Sequence, residues 1–257
     1  MLTLIQAVVW GVIQGVAEWL PVSSSGHLVI FQQLFGLEVP VFFDVLLHLG
    51  TLGVICVVFW KDILGIIKAV FRMDFKSEYG RLFIFILLGS IPTALIGIIF
   101  HGLLVSFFSN LLVVGVALIV TGAILFFCER RESKKELDAK DSLLIGLAQG
   151  MAIVPGISRS GSTIGIGLLR GINREKLIRF SFLLSIPAVV GAGLFEVGNV
   201  AWSAVEWIPV LVGVITSGVV GYFSLKLLIR FVKEKRLRWF SWYCWAVGLG
   251  LIILAIF

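Results

Sequence analysis

Long apolar runs separated by short polar strings set the pattern of this chain. Six runs read as plain spanning helices: about Val41 to Trp60, Leu82 to Leu104, Leu111 to Cys128, Ile178 to Val197, Ile208 to Ile229 and Phe240 to Phe257. Crossing about 30 Å of hydrocarbon takes about 20 residues of helix, which each run approaches or exceeds. Two further runs, Leu4 to Leu20 and Leu143 to Pro155, behave differently. Each ends in a Gly/Ser-rich string, PVSSSGH from Pro21 and PGISRSGST from Pro155, and apolar residues resume before any charged loop. Such a pattern predicts a helix that enters the membrane, breaks and turns back, because broken backbone survives at depth only when protein or a water-filled cavity surrounds it.

The cations test this prediction. Of 21 Lys and Arg, five lie from Lys61 to Arg81, five from Arg130 to Lys140, four from Arg170 to Arg179 and six from Lys226 to Arg238, which leaves only Arg159. If the segment around Arg159 is re-entrant, all four basic loops share one side, and the opposite loops, Val105 to Asn110 and Gly198 to Trp207, hold no cation. A full crossing would split the loops ten against ten. The positive-inside rule therefore favours re-entry and places the basic loops in the cytosol.

Charge says nothing about the first broken segment, but an internal repeat does. Offset by 135 residues, QGVAEWLPVSSSGHLVIFQQLFG from Gln14 aligns without gaps over QGMAIVPGISRSGSTIGIGLLRG from Gln149, with eight of 23 positions identical. Chance would give about two at ordinary residue frequencies. A weaker echo lays GSIPTALIG at Gly89 over GVITSGVVG at Gly213. If each repeat is one re-entrant hairpin plus three crossings, the second copy enters inverted, a transporter-like plan with the site at the repeat interface. The expected architecture is an all-α polytopic membrane helical bundle, with six spanning helices and two re-entrant helical hairpins in an inverted repeat. It forms one membrane domain over residues 1–257, with repeats over about 1–128 and 143–257. The two Ser/Gly strings should face each other.

Composition agrees with that reading. The chain is 59% hydrophobic and 14% charged with a mean hydropathy of +1.08, against about 25% charged residues in soluble domains. An ordinary soluble enzyme is excluded. The net charge of +6 does not point to nucleic acid, because the cations lie between apolar runs rather than on one soluble face. Cys56, Cys128 and Cys244 sit in apolar segments at no metal-ligand spacing and read as packing residues. The N-terminus lacks the basic n-region of a signal peptide and is expected to remain in place. Trp60, Trp202, Trp207, Trp239, Trp242 and Trp245 fall near predicted span ends, where indoles favour the interface.

Arg159 is the cation that needs an explanation, since an Arg at membrane depth costs at least about 2.5–3.5 kcal/mol. Something anionic should face it, either a structural partner such as Glu18 or a ligand. Ser158, Ser160, Ser162 and Thr163 supply hydroxyls beside it, and Gly156 and Gly161 let backbone N–H groups crowd an anion. A forked guanidinium and a glycine-rich nest ahead of a helix make a phosphate cradle. In the facing string Gln14 and Glu18 project from one helix face, followed by Ser23, Ser24, Ser25, Gly26 and His27. Hydroxyl, imidazole and carboxylate together can form a nucleophile, a proton shuttle and a base or metal site. Glu18, as a single carboxylate with substrate oxygens, suits Mg2+ or Ca2+, hard ions that bind phosphates. Asp44 and His48 form a second i, i+4 pair that either lines this site or holds the bundle together. Glu196 and Glu206 read as solvated. The run ESKKELDAKD from Glu132 reads as a loop touching anionic headgroups.

QGVAEWLPVSSSGH, FDVLLHLGTL from Phe43 and PGISRSGST together resemble the bacitracin-resistance family of undecaprenyl-diphosphatases, over the whole chain. Its signatures (E/Q)xxxE and PGxSRSxxT correspond to Gln14 to Glu18 and Pro155 to Thr163. The resemblance implies hydrolysis of undecaprenyl diphosphate, a polyprenyl diphosphate lipid, to undecaprenyl phosphate. That reaction recycles the carrier for peptidoglycan in a multi-pass cell-membrane enzyme opening to the outer face. It implies catalytic roles for Glu18, Ser24, His27 and Arg159, with Gln14, Ser158, Ser160 and Thr163 at the substrate. Gln14 stands where the family also uses an acid, which leaves Glu18 as the principal carboxylate. The unrelated lipid phosphatases with a PSGH motif do not match, because no histidine follows Arg159. Ser24, His27 and water remain open as the attacking group, and a homodimer is compatible with the chain. The competing class is a polyprenyl-phosphate flippase or an ion-coupled carrier.

Overall fold

The computed structural model describes residues 3–36, 41–130, 134–197 and 206–257, and among these the regular structure is helical. The helices are α1 (Leu4–Trp19), α2 (Ser24–Phe35), α3 (Val41–Val58), α4 (Trp60–Phe71), α5 (Glu78–Ile99), α6 (His101–Phe107), α7 (Leu111–Phe127), α8 (Ala139–Met151), α9 (Arg159–Leu169), α10 (Arg174–Val197), α11 (Trp207–Lys233) and α12 (Arg238–Ile256). Four of them, α5, α10, α11 and α12, are long and apolar enough to cross a membrane. The pairs α3–α4 and α6–α7, bent by 79° and 97°, bring the number of spans to as many as six. The protein is a multi-pass membrane helical bundle.

The two broken runs become the short pairs α1–α2 and α8–α9. Their helices have 16, 12, 13 and 11 residues, each too short to cross about 30 Å alone. Within each pair the helices pack on one another. Thr3 opens α1 with a capping box to Gln6, and Leu20 leaves the helix in extended conformation ahead of Pro21. Ser23 and Ser158 then cap α2 and α9 by accepting the amides of Gly26 and Gly161.

Three boundaries differ from the expectation. The expected span Leu82 to Leu104 is interrupted at Phe100, where α5 ends, and its last residues belong to α6, which with α7 forms a bent pair. The stretch from Lys61, read as a basic loop, begins with the amphipathic helix α4. Its Ile63 and Ile66 pack on the core, and Asp62 meets Arg179 at 2.6 Å. Helix α8 starts four residues before Leu143, because the Asp138 side chain accepts the Asp141 amide at 2.8 Å. The Asp141 carboxylate is fully buried there, yet Lys135 and Arg170 reach it at 2.6 and 2.8 Å, as a buried charge requires. Trp60, Trp207, Trp239 and Trp242 are exposed. Trp202, the Glu196 side chain and most of the 198–207 loop lie outside the described residues.

Packing crosses between the halves of the chain. Helix α1 lies along α11, α8 along α5, α7 along α12, and α3 touches both α10 and α11. Small residues make these approaches possible, as lipid-embedded helices need. A Cβ on Gly15 would stand 2.8 Å from the Ser217 carbonyl oxygen and 2.9 Å from the Gly221 amide nitrogen. One on Gly115 would stand 2.9 Å from the Gly248 carbonyl oxygen.

Candidate active site

The two Ser/Gly strings meet. The buried Ser23 hydroxyl accepts the Gly156 amide at 3.0 Å, and the Ser160 hydroxyl donates to the Trp19 carbonyl at 2.8 Å. Gly156 has φ +100°, and a Cβ there would stand 2.5 Å from the Val114 carbonyl oxygen. Both its conformation and its surroundings therefore call for glycine. A Cβ on Gly26 would come within 3.0 Å of the Gly156 Cα, so the strings touch backbone to backbone. From α7, the Thr121 hydroxyl donates to the Gly156 carbonyl at 2.9 Å and accepts the Ser158 amide at 3.0 Å, holding both sides of the turn.

Across this contact Arg159 Nη2 pairs with Glu18 Oε1. The guanidinium also lies 5.3 Å from the Trp19 ring centre, in cation–π range. Arg159 Nη1 is buried with no hydrogen-bond partner among the described residues. The other Glu18 oxygen, Oε2, accepts the Ser24 hydroxyl at 2.7 Å and the Gln14 amide at 3.1 Å. Gln14 Nε2 also lies 2.7 Å from His48 Nδ1, which is itself 3.1 Å from Glu18 Oε2. Nδ1 therefore stands between a donor and an acceptor: it accepts from Gln14 when the imidazole hydrogen is on Nε2, and it donates to Glu18 when it carries the hydrogen itself. His48 therefore belongs to the carboxylate cluster. Asp44, one turn earlier, accepts Gln32 Nε2 at 3.2 Å and keeps its buried Oδ1 unpartnered among the described residues.

His27 faces elsewhere. Its Nδ1 lies 2.8 Å from the Ser23 carbonyl oxygen and its Nε2 2.6 Å from the Tyr243 hydroxyl, with the two rings stacked at 10°. A carbonyl only accepts, so Nδ1 carries the hydrogen and Nε2 accepts from Tyr243. The group in position to receive the Ser24 proton is thus Glu18 rather than His27.

Of the remaining hydroxyls expected at a phosphate, those of Ser25, Ser158, Ser160 and Thr163 serve the scaffold in this structure, whereas the buried Ser162 Oγ has no hydrogen-bond partner among the described residues. Ser158 caps α9 and lies 3.3 Å from the Ser160 hydroxyl, and Ser25 lies 3.3 Å from the Ser23 hydroxyl. Thr163, fully buried, donates to the Arg159 carbonyl at 2.9 Å and stands 2.5 Å from the Ser181 hydroxyl. A Cβ on Gly161 would press on Ser158 and Pro21 at 3.1 and 3.2 Å. Thr121, Ser181 and Tyr243 were not singled out in the sequence. Thr121 is an isolated polar residue inside an apolar span, while Ser181 lies near Arg179 and Ser185, and Tyr243 near Ser241.

No group of three or more His, Cys, Asp or Glu that could hold a metal occurs among the described residues. Gln14 Oε1 is, however, a buried oxygen with no partner among the described residues, on the amide whose Nε2 donates to Glu18. This hard-oxygen pair fits Mg2+ or Ca2+ if phosphate oxygens complete the coordination.

Comparison with known proteins gives this arrangement a lineage. The chain is 41% identical over 274 residues to an undecaprenyl-diphosphatase of Methanosphaera stadtmanae, covering 100% of this chain and 99% of that one. It is 44% identical over 253 residues to an undecaprenyl-diphosphatase of Halothermothrix orenii, covering 95% of each. It is 41% identical over 259 residues to one of Carboxydothermus hydrogenoformans, covering 97% and 96%. The family model described as Bacitracin resistance protein BacA matches residues 7–250. That match takes in both strings and the helices that bring them together, so the chain belongs to the BacA family.

Proposed function

We propose that the protein is an integral membrane phosphatase that hydrolyses undecaprenyl diphosphate to undecaprenyl phosphate and phosphate, returning the lipid carrier to cell-envelope synthesis. The observation that carries this reading is the partly buried Arg159–Glu18 pair joining the two strings, with Ser24 on the same carboxylate and Arg159 Nη1 unpartnered among the described residues. Phosphoryl transfer relies mainly on positioning and charge stabilisation, and these groups provide both. Ser24 Oγ attacks the terminal phosphorus as its proton passes to Glu18. The bond to the bridging oxygen breaks and that oxygen leaves on undecaprenyl phosphate, while Arg159 neutralises the terminal phosphoryl oxygens. Water then cleaves the phosphoserine and restores Ser24. His27 contacts the substrate beside this centre. A bound Mg2+ or Ca2+, held by Glu18 and Gln14 Oε1, would supply further charge neutralisation.

The two halves are read as an inverted repeat over about 1–128 and 143–257. In support, α1 against α11 has its counterpart in α8 against α5, while α7–α12 and α3–α10 pair equivalent helices. Three crossings per half would invert the second copy. The basic loops are placed in the cytosol by the positive-inside rule, with the site opening to the outer face. Paired copies in the membrane would leave this chemistry unchanged, since both strings come from one chain.

The test is phosphate release by the purified protein in detergent micelles, which have no two sides to transport between. Release from undecaprenyl diphosphate is expected, together with a trapped phosphoserine at Ser24. No release from any polyprenyl diphosphate defeats the phosphatase reading and promotes a carrier. Phosphohistidine in place of phosphoserine moves the attack to a histidine, and neither adduct moves it to water.

A further inference from the structure

A groove of about 910 Å3 runs between the α1–α2 pair and the α11–α12 pair. On α1 its wall is Val12, Ile13, Val16, Ala17 and Leu20, spaced so that they share one helix face. Phe31 of α2 and Phe240 of α12 line it as well. Val12 and Val16 are more than one-third exposed, so this face of α1 remains open although the next helix is packed close by. Polar groups in the lining are few: His27, Tyr243 and Arg236. Arg236 stands just ahead of α12 and pairs with Glu234 at 3.2 Å.

His27 joins this groove to the reactive centre. It lies one turn beyond Ser24 on α2, and its ring is fixed at both nitrogens, by the Ser23 carbonyl and by the Tyr243 hydroxyl. Glu18, Ser24 and Arg159 do not line the groove themselves, but Ala17, next to Glu18, and His27, one turn from Ser24, do. A lipid diphosphate has the same polarity: a terminal phosphate to be removed, a second phosphate that stays on the lipid, then hydrocarbon.

Resting on the phosphatase reading, we propose that the isoprenoid chain nearest the diphosphate lies in this groove. The lipid-linked phosphate then sits at His27, and Tyr243 is a positioning residue that holds His27 toward it. This places the terminal phosphate at Ser24 and Arg159, and the bridging oxygen between the two groups. Tyr243 gives its one hydroxyl hydrogen to His27 Nε2 and so acts through the imidazole. The groove wall and the Tyr243–His27 pair therefore do separable work. The wall recognises chain, which a short diphosphate lacks, and the pair recognises a phosphate common to both.

The experiment compares kcat and KM of the purified full-length chain in detergent for undecaprenyl diphosphate and for dimethylallyl diphosphate, which carries one isoprene unit. Val16→Trp, and separately Val12→Trp, fills the groove. Each is expected to reduce the preference for the long substrate at least about tenfold, mainly through its KM. Equal losses on the two substrates, or no loss from either variant, would overturn the groove assignment. Tyr243→Phe keeps the ring and is expected to lower kcat about tenfold on both substrates with the long-chain KM little changed. If it instead raises only the long-chain KM, Tyr243 is groove wall and its positioning role falls. Wild-type protein that hydrolyses neither substrate removes the phosphatase reading itself, a result distinct from hydrolysis without chain preference.

Discussion

His48 Nδ1 lies 3.1 Å from Glu18 Oε2, although 30 residues and a helix break separate the two. Gln14 Nε2 reaches both, so the partly buried His48 is tied into the polar cluster around the carboxylate that faces Arg159 and Ser24. Groups that fix a base in one orientation matter to rate because small misplacements are costly. His48→Ala is expected to lower kcat by about 10²-fold, within the usual range for an acid–base partner, with KM changed far less. A variant that keeps near wild-type kcat in a steady-state assay removes His48 from the site.

The Arg159–Glu18 pair yields a test of geometry as well as charge. Arg159→Ala should abolish most turnover while the protein is still recovered from the membrane. Arg159→Lys keeps the charge and loses the fork that serves Glu18 and a phosphate together. It is expected to retain about one-tenth to one-hundredth of wild-type kcat/KM, a loss of roughly 1.4–2.8 kcal/mol. An Arg159→Lys enzyme equal to wild type shows that a point charge suffices.

Removal of divalent ions tests the oxygen pair at Glu18 and Gln14. Chelator-treated enzyme should lose activity and regain it with Mg2+ or Ca2+, hard ions that accept such donors. Gln14→Leu, which removes the buried Oε1 and changes little in volume, should raise the ion concentration needed for half-maximal activity. Full activity after exhaustive chelation excludes an ion from the reaction.

Thr121 gives a prediction for the scaffold. Thr121→Val leaves the Gly156 carbonyl and the Ser158 amide unpaired, at about 1–3 kcal/mol for each buried group. Lower thermal stability is expected, with a fall in kcat because Arg159 follows Ser158 directly. Unchanged melting in detergent would show that the turn is held by its other contacts.

Outside the bilayer, Asp138 lies below the ordinary carboxylate range, first because it accepts the Asp141 amide and then because Lys135 pairs with it. A carboxylate depressed in the folded state contributes stability above its unfolded pKa and loses it as pH falls through the folded value. Asp138→Ala should weaken hydrogen-exchange protection of the first turn of α8 by about 1 kcal/mol near neutral pH. The gap from wild type should close below about pH 4; a gap that persists in acid would mean the cap does not depend on charge.

Much of this architecture was legible because lipid imposes a simple rule on sequence. Runs of about 20 apolar residues, cations gathered between them and a repeated Gln-Gly/Ser-x-Ser-Gly string led to the broken pairs and to their meeting. Arg159 stood out as the one cation away from the basic loops, and Glu18 was its nearest plausible partner. Contacts from other helices were hidden, because periodicity describes one helix at a time. Nothing local to Tyr243 or Thr121 reveals that the chain returns them to His27 and Gly156. His48 was visible only as half of an i, i+4 pair, and which face it presents depends on how α3 packs. For Ser158, Ser160 and Thr163, composition suggested ligand contacts, whereas their hydroxyls close the turn that presents Arg159.

The close seat of Gly15 against Ser217 and Gly221 also sets a timetable for biogenesis. About 200 residues separate the two sides of that contact, and synthesis at about 5–20 residues per second leaves α1 waiting on the order of 10–40 s for α11 to emerge. During the earlier part of that interval, until Arg159 emerges, the nascent first hairpin carries Glu18 without its cation and needs shelter from the insertion machinery or from neighbouring lipid.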